Sequence, residues 1–197
     1  MNKLCDPCVH STIDGHTDVY LIPGDPVEQV RAPQVFNLIF KTLGINAVLV
    51  PAHVKAGDIK TFVQSSFMAQ NIKGMFLAIP HKPLVMSLLT SCNSYGRVAG
   101  AVNAIRRNAQ GQLEGGLFDG KGFVLALDYF GMAYMGKKVL LLGAGGGGAA
   151  IAAALAMAGK QAPAQIALYD PTAHKAQTIA RQITLAANNA QNECIVA

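Results

Sequence analysis

Along the first half of this chain, short apolar runs ending in proline or glycine alternate with longer segments of helical spacing. Residues 18–23 (Asp-Val-Tyr-Leu-Ile-Pro) read as a first strand, closed by the turn Gly24-Asp25-Pro26. Pro33 suits the first turn of a helix reaching about Lys41, with Val35, Leu38, Ile39 and Leu43 on one face. Residues 47–51 predict a second strand. Residues 56–69 predict a second helix that spaces Ile59, Phe62, Val63 and Phe67 helically. Residues 74–79 are apolar, short and bounded by turn formers, as in a strand covered on both faces. This strand-helix alternation implies a mainly parallel sheet with helices on its faces.

Beyond it, a short helix is expected over residues 83–89, a strand over 100–105, a turn at 108–112 and a strand over 113–117. Residues 118–123 then open a helix running to about Phe130. The stretch 131–138 reads as a boundary, giving an α/β fold with one unit at 1–130 and a second at 131–197. The second unit predicts a strand at 139–142, a helix at 149–158, a strand at 165–169, a helix at 173–187 and an incipient strand at Ile195. A complete dinucleotide-binding domain has two βαβαβ halves. This unit is therefore expected to be a partial Rossmann-like domain, and the chain to be cut short at its carboxyl end.

Charge narrows the classes of partner. Sixteen basic and eleven acidic residues give a net charge of +5, spread thinly, with only Arg106-Arg107 and Lys137-Lys138 adjacent. That is no nucleic-acid stripe, while a small anionic ligand is compatible with it. Residues 139–159 carry no charge and match a membrane span in length, but six glycines among them fit a strand, tight turn and packed helix better. The four cysteines describe no disulfide framework, and a cytoplasmic location with reduced thiols is expected. Cys5, Cys8 and His10 could form half a zinc site, but no second pair follows, so no metal is expected.

Three segments carry candidate chemistry. Pro80 cannot donate to a sheet ladder, so the third strand should stop there and present Lys82 at its carboxyl end, where open α/β sheets bind ligands. Asp119 falls at a helix amino terminus, where it could cap the helix or serve a ligand. Gly143-Ala144-Gly145-Gly146-Gly147-Gly148 fits G-x-G-x-x-G with glycines at 143, 145 and 148, between a strand and an alanine-rich helix. Glycines there let the backbone approach a pyrophosphate that the helix terminus stabilises; a tight turn without ligand is the plainer alternative. Asp170 closes the following strand, about 20 residues on, placed either to accept ribose hydroxyls or to cap the helix starting near Thr172.

Taken together, Gly24-Asp25-Pro26 with Pro33 and Asn37, Ile79-Pro80-His81-Lys82, Ala101-Val102-Asn103-Ala104, Asp119-Gly120-x-Gly122-Phe123 and Gly143-Ala144-Gly145-Gly146 resemble the shikimate and quinate dehydrogenase family. The resemblance implies an amino-terminal substrate-binding domain, a Rossmann-like cofactor domain, and reversible oxidation of a ring hydroxyl with NAD or NADP. It places Lys82 and Asp119 on the family's catalytic pair and Asn103 on a substrate-binding asparagine. Oxidising an alcohol also requires its proton to leave, so an amine or carboxylate must reach that oxygen. Either residue could accept the proton, and Lys82 is favoured.

The departures alter the expected pocket. The family's two substrate-carboxylate serines fall at Val30 and Ala32, its threonine before Pro-His-Lys at Ala78, and its Asn-Thr before Asp-Gly at Leu117-Phe118. Five polar positions are apolar, which points to a less polar cyclic alcohol than shikimate. Asp170-Pro171-Thr172 replaces the Asn-Arg-Thr of NADP-using relatives, so NAD is the preferred cofactor and NADP the alternative. A non-catalytic dinucleotide- or metabolite-binding relative is the competing reading. The expected partners are a small-molecule substrate, with a homodimer as an open option, and neither nucleic acid nor membrane.

Overall fold

A computed structural model describes residues 13–188. Strand β1 (Asp18–Gly24) lies between β2 (Ala47–His53) and β3 (Ile72–Phe76) and runs parallel to both. Helix α1 (Ala32–Thr42) links β1 to β2, and α2 (Ile59–Ser66) links β2 to β3, as the alternation predicts. Parallel pairing then gives way. Strands β5 (Ala104–Arg107) and β6 (Leu113–Gly116) form an antiparallel hairpin against β3, and the short β4 (Ser91–Cys92) runs parallel to β6 at the edge. The six-stranded order is β2-β1-β3-β5-β6-β4. Asn108 closes the hairpin, accepting bonds from the N–H groups of Gln110 and Gln112 beside Gly111 at φ +77°.

Four expected elements shift, each for a local reason. The third strand ends at Phe76 rather than Ile79. Leu77 and Ala78 still donate to Asn103 and Pro23, but their partners sit on different neighbours, so the ladder is irregular there. The helix expected over 83–89 is a run of turns ending in a single 3-10 turn, Met86–Leu88. A strand from Gly100 is displaced by helix α3 (Ser94–Ala99), which Asn93 caps through Gly96 N–H and which Gly100 ends at φ +62°. The expected buried face of α1 is open: Val35, Leu38 and Leu43 are more than half exposed. Phe36 and Phe40 face the sheet instead, stacking on Phe76 at 4.7 Å and on Tyr20 at 5.7 Å. Asn37 bonds both backbone groups of Leu49, which fixes α1 against β2. The Ile195 strand and the Cys5, Cys8 and His10 cluster lie outside the described residues.

A second sheet holds β7 (Lys138–Leu142) and β8 (Gln165–Tyr169), parallel to each other, with α5 (Gly146–Ala156) between them in sequence and α6 (Ala173–Asn188) after. Helix α5 is apolar all round, and seven of its residues are buried, so it is an interior helix. No helix among the described residues is long and apolar enough to cross a membrane. Helix α4 (Asp119–Tyr129) packs on α5 so closely that a side chain at Gly120 would meet the Ala150 carbonyl at 1.9 Å. Ala99 and Leu117 from the first sheet's side join Ala149, Ala150 and Ala153 of α5 in one buried cluster. That cluster fastens the two sheets to each other.

Candidate active site

The turn after β3 stands beside the glycine turn that opens α5 and meets the segment after β6 through Lys82 and Asp119. Residues 79–82 form the turn after β3, with His81 N–H donating to Ala78 and the Lys82 carbonyl accepting from Val102. That turn aims the Lys82 amine at Asp119, and Nζ donates to Asp119 Oδ2. The Lys82 side chain is 17% exposed and that of Asp119 36%, so the pair is partly withdrawn from water yet reachable. Asn103 Nδ2 donates to Asp119 Oδ1 at 2.5 Å, while Asn103 Oδ1 accepts the Phe118 N–H at 2.9 Å. Asp119 does not cap its helix: no side-chain cap bond forms, and both carboxylate oxygens are turned to Lys82 and Asn103. Its charge at the first turn still suits the helix dipole.

The corner that delivers Asp119 is built by a residue the sequence reading passed over. Asn93 accepts the Leu117 N–H at 3.1 Å and donates to the Leu117 carbonyl at 3.3 Å, besides capping α3. An asparagine directly after an edge strand and three residues before a glycine was the available signal.

The glycine turn has the geometry its motif demands. Gly143 sits at φ +106°, a conformation that side chains rarely adopt, and its N–H donates to Tyr169 at the end of β8. A Cβ at Gly148 would strike the Gly143 carbonyl at 1.9 Å, so helix and strand approach too closely for alanine. Gly145 and Gly147 face open space, and Gly145 is the N-cap without a side-chain bond, leaving the first N–H groups of α5 free for an anion. At Gly146 a Cβ would lie 3.2 Å from Lys82 Cδ, so the amine stem rests directly on the turn. These features fit a dinucleotide pyrophosphate at Gly143 to Gly148.

Asp170 supports that turn. Its carboxylate accepts Ala144 N–H at 2.9 Å and Thr172 N–H at 2.8 Å. The Ala144 bond, then the Thr172 bond, hold its carboxyl below the usual carboxylate range. Asp170 therefore braces the glycine loop and closes a tight turn before α6, and among the described residues no bond from it to an N–H within α6 is seen. Lys175, in the first turn of α6, also favours the charged form of Asp170.

A cleft of about 550 Å³ runs along these parts, lined by Ile79, Lys82, Gly145, Gly146, Lys175 and Ile179 among others. Lys175 and Ile179 were not singled out from the sequence; a lysine five residues past Asp170 was the readable signal. Val30, Ala32, Ala78 and Phe118 do not line this cleft. Val30 and Ala32 stand half-buried where the chain enters α1. Ala78 packs near Gly24, where a Cβ would come within 3.1 Å of it. Phe118 turns its half-exposed ring over Gly116, into a separate trough with Asn93 and Arg106. Leu117 is 1% exposed in the cluster between the sheets, which accounts for its apolar character by packing.

A parallel-sheet unit that presents an amine–carboxylate pair to the glycine-rich strand-helix turn of a second α/β unit defines a nucleotide-linked α/β protein whose site lies between its two sheets. Residues 22–105 match the shikimate dehydrogenase substrate binding domain, and the chain is similar to curated shikimate dehydrogenases over most of its length. The shikimate dehydrogenase (NADP(+)) of Desulforamulus reducens is 37% identical over 175 residues, which is 88% of this chain and 58% of that relative. Shikimate 5-dehydrogenase from Listeria monocytogenes, solved with shikimate and NAD, superposes over the whole chain and 64% of its own, with a TM-score of 0.79 at 25% identity. A shikimate dehydrogenase solved with NADP+ gives a TM-score of 0.82 at 28% identity, covering 96% of this chain and 64% of its own. The chain thus spans about three fifths of the length of these relatives.

Proposed function

We propose that this chain carries the substrate-binding unit and the first part of the cofactor unit of an NAD(P)-dependent dehydrogenase that interconverts a ring hydroxyl and a ketone. The observation that carries it is the Lys82–Asp119 pair standing against Gly146. A nicotinamide dinucleotide supplies or accepts the hydride. In this reading Lys82 takes the hydroxyl proton as hydride leaves, and Asp119, steadied by Asn103, holds both the amine and the substrate oxygen in line. The second N–H of Asn103 is left for a substrate oxygen.

Val30, Ala32, Ala78 and Phe118 lie outside the cleft at Lys82, but at the positions where the resemblance places polar substrate contacts they offer no hydroxyl or amide side chain, which favours a cyclic substrate less hydroxylated than shikimate. For the cofactor we propose NAD over NADP. Asp170 keeps its charge near the ribose end of the glycine turn and Pro171 stands where an arginine would clamp a 2′-phosphate, although Lys175 tempers that preference. The same apolar positions support a second reading, a dinucleotide-binding relative without turnover.

The test joins this chain to the remaining carboxyl-terminal part of the Desulforamulus reducens relative and follows NAD and NADP reduction with shikimate, quinate and less hydroxylated cyclic alcohols. Turnover that falls at least about 10²-fold in Lys82→Ala supports the dehydrogenase reading. Cofactor binding without turnover on any alcohol establishes the binding-protein reading instead.

A further inference from the structure

We propose that His81 is the positioning residue that holds Lys82 on Asp119, through a buried hydrogen bond from its imidazole to the backbone carbonyl of Val54. This rests on Lys82 being the reactive amine, as proposed above. The His81 ring is 0% exposed, and its Nε2 lies 2.8 Å from the Val54 oxygen. A carbonyl only accepts, so Nε2 carries the proton.

Val54 is itself anchored. Its N–H donates to the Gly24 carbonyl, and its side chain lies in the core cluster with Val85 and Val102. Gly24 ends β1, Val54 follows β2, and His81 follows β3, so one chain of hydrogen bonds ties three consecutive strand ends together. The backbone around His81 is occupied as well: its N–H donates to Ala78, and its carbonyl accepts from Leu84. With the ring pinned below the sheet end, the next residue must point the other way, toward Asp119 and the glycine turn.

The other ring nitrogen, Nδ1, is buried without a partner. Burial holds the imidazole toward its neutral form, so the pin adds no positive charge beside the Lys82 amine. A neutral donor of fixed reach is what this position requires.

The experiment measures the rate at which an amine reagent labels Lys82 in the 197-residue chain at one pH, by peptide mass spectrometry, with exposed Lys55 as internal reference. In the unsubstituted chain the bond to Asp119 protects Lys82. His81→Phe fills the space but leaves Val54 unbonded, and Lys82 labelling is expected to rise roughly tenfold, the equivalent of one lost hydrogen bond between charged groups. His81→Gln, whose amide nitrogen reaches the Nε2 position, is expected to restore slow labelling. Unchanged Lys82 labelling in folded His81→Phe overturns the proposal. Should that variant fail to fold, His81→Asn decides: its amide stops short of Val54, and labelling equal to that of His81→Gln overturns the proposal, as does loss of folding in all three. Because no turnover is read, failure here is distinguishable from failure of the dehydrogenase reading, which shows as a protected, slowly labelled Lys82 in a completed protein without activity.

Discussion

Asn103 occupies both of its polar atoms within the protein, one on Asp119 and one on the Phe118 backbone, so its removal acts on the carboxylate before it acts on any substrate. In Asn103→Ala, Asp119 keeps Lys82 as partner but loses the bond that sets its second oxygen. Turnover of the completed enzyme is expected to fall by about 10- to 100-fold, with stability changing by only ~1 kcal/mol, since these groups remain partly open to water. Steady-state rates and urea denaturation of the same variant check both halves of that statement. Asp170 makes a pH-dependent contribution. Its carboxyl is held below the ordinary value by the Ala144 and Thr172 N–H groups, so its stabilisation is present above the unfolded value near pH 4 and is lost as pH falls through the lower folded value. Melting temperatures of wild type and Asp170→Asn should therefore differ at pH 7 and converge in acid, below about pH 4.

The elements place these residues through contacts that leave no room for change. Helix α4 begins at Asp119 and crosses α5 at Gly120, where a methyl group would meet the Ala150 carbonyl at 1.9 Å. Gly120→Ala must push the two helices apart and is expected to cost about 1–3 kcal/mol, measurable by denaturation, and to carry Asp119 away from Lys82. Gly122, two residues on, faces open space, so Gly122→Ala serves as the control, with little or no loss. Sequence alone made much of this level legible. Turn formers, helical spacing and the glycine motif located β1, β2, α2, β7, β8 and α6, because each is specified by residues close in the chain. What it missed depends on distant partners. Helix α1 carries two apolar stripes, and only the position of Tyr20 and Phe76 decides that the aromatic stripe faces the sheet. Helix α3 is six residues long and hangs on Asn93, whose second task, gripping Leu117, spans 24 positions. Lys82 and Asp119 stood out as residues, but their pairing across 37 positions is a product of the whole sheet.

The cleft exists only while the two sheets keep their relation, and the cluster of Ala99 and Leu117 with Ala149, Ala150 and Ala153 is what the first sheet's end offers the second. Alanines on α5 let α3 and α4 approach its backbone, and Leu117 is the large fully buried side chain among them, with Tyr95, Val98 and Ile179 packed partly buried against the cluster. It also directly precedes the segment that delivers Asp119. If this contact joins the units into one cooperative structure, unfolding followed by far-ultraviolet circular dichroism and by tyrosine fluorescence should give coincident transitions in the wild-type chain. Tyr20 reports on the first sheet and Tyr134 on the core of the second. Truncating Leu117 removes a fully buried side chain from a wall of alanines that cannot grow to refill it, so Leu117→Ala is expected to cost about 2–5 kcal/mol. It should also separate the two transitions, with protection of Lys82 from amine reagents lost in the first of them. A Leu117→Ala protein that unfolds in one step with the same midpoint as wild type would place the coupling of the sheets elsewhere, in the crossing of α4 and α5 at Gly120.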